Sequence, residues 1–202
     1  MRLTTPLLAA ALALWGAGAG AATLAVTVLN GEGTRLSDAV VMLEPVDARR
    51  APRPVTGAEV GQQDKRFVPQ VAVVPVGTAV DFPNRDVVRH HVYSFSEAKR
   101  FEIKLYVGKP EKPVVFDKPG VVVLGCNIHD QMLSHILVVE TPWYGLSNAA
   151  GQLSLRELPA GSYRLRTWHA RLPVGDPAQQ QTLRLGAEPQ SVDVVLRKLG
   201  PP

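Results

Sequence analysis

The sequence predicts an all-β protein, a β-sandwich followed by a small C-terminal β-sandwich module. Three observations predict it. Apolar runs are short and alternate with polar residues, β-branched and aromatic side chains dominate them, and clusters of Gly, Pro, Asn and Asp separate one run from the next. Beyond the N-terminal segment, no stretch carries the apolar spacing of a long helix.

Taken in order, residues 1–22 read as an export signal. Met1-Arg2 gives a positive start, Leu7 to Trp15 an apolar run, and Gly16 to Ala22 the small residues of a cleavage site. The run is too short and too rich in glycine to stay as a membrane anchor, and no later segment is long and apolar enough to span a bilayer. The mature chain is therefore expected in the periplasm. Strand-like runs follow at 24–29, 39–43, 79–82, 92–95, 101–105 and 121–124, with turn signals such as Asn30-Gly31-Glu32-Gly33, Pro83-Asn84-Arg85-Asp86 and Lys118-Pro119-Gly120 between them. Pro142 marks the expected boundary. Residues 23–141 form the first sandwich in this reading, and 142–202 the smaller module, with strands near 151–155, 163–168, 182–185 and 192–196.

Composition removes several classes of function. The 202 residues include one cysteine, so an internal disulfide, a Cys₄ zinc ribbon, a Cys-x-x-Cys redox pair and a cysteine-ligated iron–sulfur cluster are all excluded. A net charge of +4, spread along the chain, does not make the basic stripe of a nucleic-acid binder. Asp86, Glu97 and Asp130 do not assemble into an acid–base pair, and neither a nucleophile elbow nor a Gly-rich phosphate loop is present. The chain reads as a carrier or binding protein, not an enzyme.

Export makes the lone Cys126 the residue to explain, because a free thiol in an oxidising compartment is a liability unless it is buried or held. Around it runs Gly125-Cys126-Asn127-Ile128-His129-Asp130-Gln131-Met132, on the expected loop between two strands. A thiolate, an imidazole and a thioether within one compact loop can converge on a single point. With a second imidazole they make the His₂Cys plane and axial Met of a blue-copper site, whose soft sulfurs suit Cu(I) and whose imidazoles suit Cu(II). The second imidazole must come from Arg89-His90-His91-Val92. Strand alternation sends His90 and His91 to opposite faces, so one of the two can reach the loop.

These residues resemble the cupredoxins, particularly plastocyanin and amicyanin, over about 77–139. Asn84, His90 and Val92 match the family's first ligand segment, and Cys126, His129 and Met132 its Cys-x-x-His-x-x-Met loop. The resemblance implies a Greek-key sandwich holding one type 1 copper ion, with His90, Cys126, His129 and Met132 as ligands and His91 where the family usually has the Asn that ties the ligand loops together. Phe67-Val68-Pro69, Asp81-Phe82-Pro83-Asn84 and His90 to Ser96 are similar to a subgroup of exported bacterial proteins known as methylamine utilization proteins. That likeness implies redox partner proteins, a dehydrogenase donor or a cytochrome acceptor, and a link to amine oxidation. Leu158-Pro159-Ala160-Gly161-Ser162-Tyr163 resembles a signature of transthyretin-like and carboxypeptidase-regulatory-like modules.

Around the expected site, Arg85, Arg89, Lys99, Arg100 and Lys104 form either a solvated face or a docking rim for an acidic redox partner. His135 and His169 are expected to be structural. The alternative to an electron carrier is a non-redox copper-binding protein, or a β-sandwich that binds an envelope ligand.

Overall fold

The computed structural model describes residues 21–201, and every described element is a strand. Residues 1–20 of the expected export signal lie outside the described residues. Among the described residues no helix is long and apolar enough to cross a membrane.

The chain opens with β1 (Ala22–Asn30) and β2 (Val40–Pro45). Ten short strands follow: β3 (Ala58–Glu59), β4 (Gly61–Gln63), β5 (Arg66–Val68), β6 (Val71–Pro75), β7 (Thr78–Asp81), β8 (His90–Ser96), β9 (Lys99–Tyr106), β10 (Val114–Phe116), β11 (Gly120–Gly125) and β12 (Leu133–Val139). The chain closes with β13 (Trp143–Leu146), β14 (Gln152–Leu158), β15 (Gly161–Trp168), β16 (Gln179–Leu185) and β17 (Gln190–Leu196).

Strand pairing divides the chain differently from the sequence expectation of 23–141 and 142–202. β1 lies between β14 and β17, antiparallel to the first and parallel to the second. β2 lies between β13 and β15, with β16 at the edge. The two N-terminal strands therefore belong to the sandwich of the C-terminal strands, and β3–β12 are inserted into it as a second sandwich. The physical reason is visible in Val40-Val41-Met42-Leu43, where every side chain is buried. Alternation shows that both faces of such a strand are covered, but it does not say by which partners.

Three apolar layers follow from that strand and its neighbours. Val41 and Leu43 face Leu24, Val26, Val28, Leu155, Tyr163, Leu165 and Leu196 in the core of the outer sandwich. On the other side, Val40 and Met42 meet Trp168 and the outward residues Leu137 and Val139 of β12. β12 is buried on both faces in the same way, for Ile136 and Val138 point into the inserted sandwich with Phe67, Phe82, Val92, Phe116, Val122 and Leu124. Each side chain buried in the middle layer contributes roughly 1.5–3 kcal/mol, so a continuous apolar seam joins the two sandwiches. The inserted sandwich sets the five-stranded sheet β6-β12-β11-β8-β9 against β10-β7-β3, with the β4–β5 hairpin beside them. The seam covers the β6–β12 side of the large sheet. β8, β11 and the 126–132 loop carry the chemistry.

Candidate metal centre

β8 begins at His90, and Val92 and Ser94 follow it inward while Tyr93 and Phe95 point out. His90 is fully buried. β11 ends at Gly125, whose register partners are Tyr93 on β8 and Leu133 on β12. The 126–132 loop therefore crosses the end of the same sheet, beside the first residue of β8. A backbone bond from Met132 N–H to the His129 carbonyl, 2.9 Å, closes the loop into a tight turn.

The result is a cluster of three ligating side chains. His90, Cys126 and His129 each present one ligand atom, and these atoms all lie within 4.8 Å of one another. Cys126 Sγ is 4.0 Å from His129 Nδ1, and the imidazole centroids of His90 and His129 are 4.9 Å apart. Cys126 is buried and unpaired, whereas His129 is half-buried. Met132 is buried in the same apolar cluster as Cys126, Phe82 and Leu124. His91 takes the opposite face of β8, where Nε2 lies 2.9 Å from Glu102 Oε1 and the ring stacks toward Tyr93. The structure thus brings His90, and not His91, to Cys126.

The turn that delivers His90 is built around Asn84. Its buried side-chain amide donates to the carbonyls of Val88 and Tyr106, both at 2.8 Å, and its Oδ1 accepts from Asp86 N–H at 2.9 Å. Asp86 in turn accepts from the backbone N–H groups of Asp64 and Lys65, at 2.7 and 2.9 Å, and its Oδ2 lies 2.7 Å from His90 Nε2. Burial pushes the Asp86 carboxyl up. The Lys65 N–H, the His90 ring and the Asp64 N–H outweigh that and hold it below the ordinary carboxylate range.

These groups fit a single soft metal ion on an observation internal to the site. His90 Nδ1 is buried and has no hydrogen-bond partner, although a buried polar nitrogen without one is costly. Its neighbours are a buried thiol and a second imidazole, both of them common ligands of soft metal ions. A metal bound by His90, Cys126 and His129 would satisfy that nitrogen and account for the unpaired cysteine together.

Sequence reasoning did not find the part that Asp86 plays. The signal available was its position four residues ahead of His90 in a turn-rich segment. Tyr106 and Gln62 were also missed: the Tyr106 hydroxyl donates to the Phe82 carbonyl at 2.6 Å and accepts from the Gln62 amide, tying β4 and β9 together under the ligand turn. Of the five basic residues expected around the site, Arg85 pairs with Glu59 and Lys99 with Asp117. Arg89, Arg100 and Lys104 stand outside the ion pairs formed among the described residues. His135 stacks on Trp168 across the seam between the sandwiches, with centroids 5.3 Å apart, and His169 lies against the Ser37 carbonyl within the outer sandwich.

No family model and no curated protein matches the chain. Several solved structures are similar to part of it. A copper-containing nitrite reductase from Thermus scotoductus is 28% identical over 48% of this chain and 25% of its own, with a TM-score of 0.40. A purple cupredoxin from Nitrosopumilus maritimus is 22% identical over 41% of this chain and 99% of its own, with a TM-score of 0.36. Amicyanin from Paracoccus versutus is 14% identical over 48% of this chain and 97% of its own, also with a TM-score of 0.36. The match spans a quarter of the nitrite reductase chain.

Proposed function

We propose that this protein is an exported type 1 copper protein that carries single electrons between partner proteins and is not itself an enzyme. The observation that carries the reading is the convergence of His90, Cys126 and His129 within 4.8 Å, with His90 Nδ1 buried and unpartnered. Bound copper would supply a one-electron couple that this ligand set suits in both oxidation states.

The chain's own residues do the rest. His90, Cys126 and His129 would hold the metal, on a frame fixed by β8, β11 and the 129–132 turn. Met132, buried in the same cluster as Cys126, would offer its thioether as a further ligand. Phe82, Val92 and Leu124 exclude water from behind the cluster. His129 is half-buried whereas His90 is fully buried, so the His129 ring edge would be the route for an electron. Arg89 and Lys104, both exposed and toward the His90 end of the β8–β9 hairpin, would steer an acidic partner, raising the encounter rate more than the affinity, whereas Arg100 lies opposite Phe95 at the other end of that hairpin. The partners are a dehydrogenase donor or a cytochrome acceptor, in the periplasm, with amine oxidation the pathway that the sequence resemblance suggests.

Loading the purified protein with Cu(II) tests this. The expected result is an intense visible thiolate-to-copper band and the matching paramagnetic resonance signal, both lost in Cys126→Ser. A colourless protein, or a band that survives Cys126→Ser, overturns the proposal.

A further inference from the structure

The β4–β5 hairpin contains an unusual turn. Its two central residues, Asp64 and Lys65, both lie in the left-handed region at φ 55°, between the register partners Gln63 and Arg66. Two-residue turns of this kind favour Asn-Gly or Asp-Gly, because a side chain such as that of lysine is strained there. Strain of this sort persists where the surroundings fix it, and often at functional sites. What the conformation achieves is visible in the hydrogen bonds. Successive left-handed residues turn their N–H groups to one side and form a concavity for an anion, and here the Asp86 carboxylate occupies it.

The hairpin is also fastened to the segment it serves. Gln62 N–H donates to the Pro83 carbonyl and Arg85 N–H to the Gln62 carbonyl, each at 2.8 Å. Phe67 anchors β5 in the core of the inserted sandwich. Gly61 leaves room for the Arg85 guanidinium, because a Cβ there would fall 2.0 Å from Nη1. Residues 61–68 and 83–86 are therefore fastened to one another, and the hairpin holds the Asp86 carboxylate against His90.

We infer that Asp86, clamped by the Asp64–Lys65 turn, is the positioning residue that makes His90 a ligand through Nδ1 and biases the site toward the oxidised metal. The inference rests on the copper reading for its second half. A carboxylate that already accepts two backbone N–H groups offers His90 only lone pairs, so His90 Nε2 must carry the ring proton and donate. The lone pair of the neutral ring then sits on Nδ1, the buried atom without a partner beside Cys126 and His129. An anion hydrogen-bonded to the far side of an imidazole also makes it a stronger donor. It stabilises the more positive of two metal charge states, which here is Cu(II).

Nitrogen NMR of the His90 ring in the metal-free protein, in mildly alkaline buffer, tests the first half without any metal. The expected wild-type form carries its proton on Nε2. In Asp86→Leu no acceptor remains for His90 Nε2, so the preference for that tautomer is expected to be lost and the Nδ1-protonated form to gain. Copper titrations test the second half: Asp86→Leu is expected to weaken Cu(II) binding by about 10–100-fold, to weaken Cu(I) binding less, and to raise the midpoint potential. Asp86→Glu should recover part of both.

A wild-type His90 ring protonated on Nδ1 overturns the inference, whether or not the variants fold. So does a folded Asp86→Leu protein with the wild-type ring form and Cu(II) affinity within about twofold of wild type, well short of the expected loss. A wild-type protein that binds no copper but shows the Nε2-protonated ring defeats the copper reading and the redox half of the inference, and leaves the positioning half standing.

Discussion

The ring of Tyr93 occupies the place where a side chain at position 125 would begin. A Cβ on Gly125 would lie 2.8 Å from Cζ and 2.9 Å from Oη of Tyr93. Tyr93 and Gly125 are register partners across β8 and β11, and the next residue is Cys126. Gly125→Ala must therefore displace either the tyrosine or the start of the ligand loop. We expect a loss of about 1–3 kcal/mol, the usual cost of overpacking, together with a shifted thiolate-to-copper band. Denaturant unfolding of Gly125→Ala, Tyr93→Ala and the double variant should reveal a coupling of about 0.5–3 kcal/mol, and strict additivity would show that the ring yields freely.

Met132 is fully buried and surrounded by core side chains. Met132→Ala should cost about 2–5 kcal/mol in unfolding experiments, as for other large-to-small core changes. Met132→Leu conserves most of the volume and should cost less than about 1.5 kcal/mol. The two effects of this side chain are thereby separated. A Met132→Leu protein of near-wild-type stability should still show an altered spectrum and midpoint potential if the thioether is an axial ligand, and unaltered ones if it only fills the core.

The seam between the sandwiches should weaken in acid. Burial, reinforced by the charge on His169, holds His135 below its ordinary value of 6.5. Burial also lowers His169, against a partial counter-effect from the Ser37 carbonyl. Groups whose folded-state values are depressed stay neutral in the native protein while the unfolded chain takes up protons. Their contribution is complete above 6.5 and is lost as the pH falls through the lowered folded values. The thermal midpoint should fall between neutral pH and about pH 5. The double variant His135→Gln, His169→Gln should show a shallower slope over that range.

Tyr106 should resist ionisation. Burial and the nearby Cys126 raise its phenol, against a lowering from the Gln62 hydrogen bond, to about 12. Spectrophotometric titration should show one tyrosine ionising late, and Tyr106→Phe should remove that late step. The same variant strands the Phe82 carbonyl and the Gln62 amide, at a cost of about 1–3 kcal/mol.

How far the sequence was legible depended on the range of each interaction. Cys126, His129 and Met132 share one loop, so their relation is local and their spacing displays it. His90 arrives from another strand, and alternation narrows the choice with His91 without resolving it. The deciding fact is that Val92 and Ser94 turn inward with His90, while Tyr93 and Phe95 turn outward with His91. Asp86 was invisible for another reason. Two of its partners are backbone N–H groups in an unusual turn, and no residue type advertises those. Val40 to Leu43 announced a strand covered on both faces, yet the partners lie at the far end of the chain, where a pattern in one segment has no reach.

The parallel pairing of β1 with β17 has a consequence in time. The first described strand of the chain waits for the last, since Leu24 lies beside Gln190 and Asn30 beside Leu196. The inserted strands meet partners closer in sequence, as in the β8–β9 and β4–β5 hairpins. Contacts between distant segments form slowly and after local ones. The half that bears His90, Cys126 and His129 is therefore expected to take shape while β1 and β2 are still unpaired. During that interval the apolar faces of β2 and β12 stand open together, and this is when the chain is most exposed to aggregation.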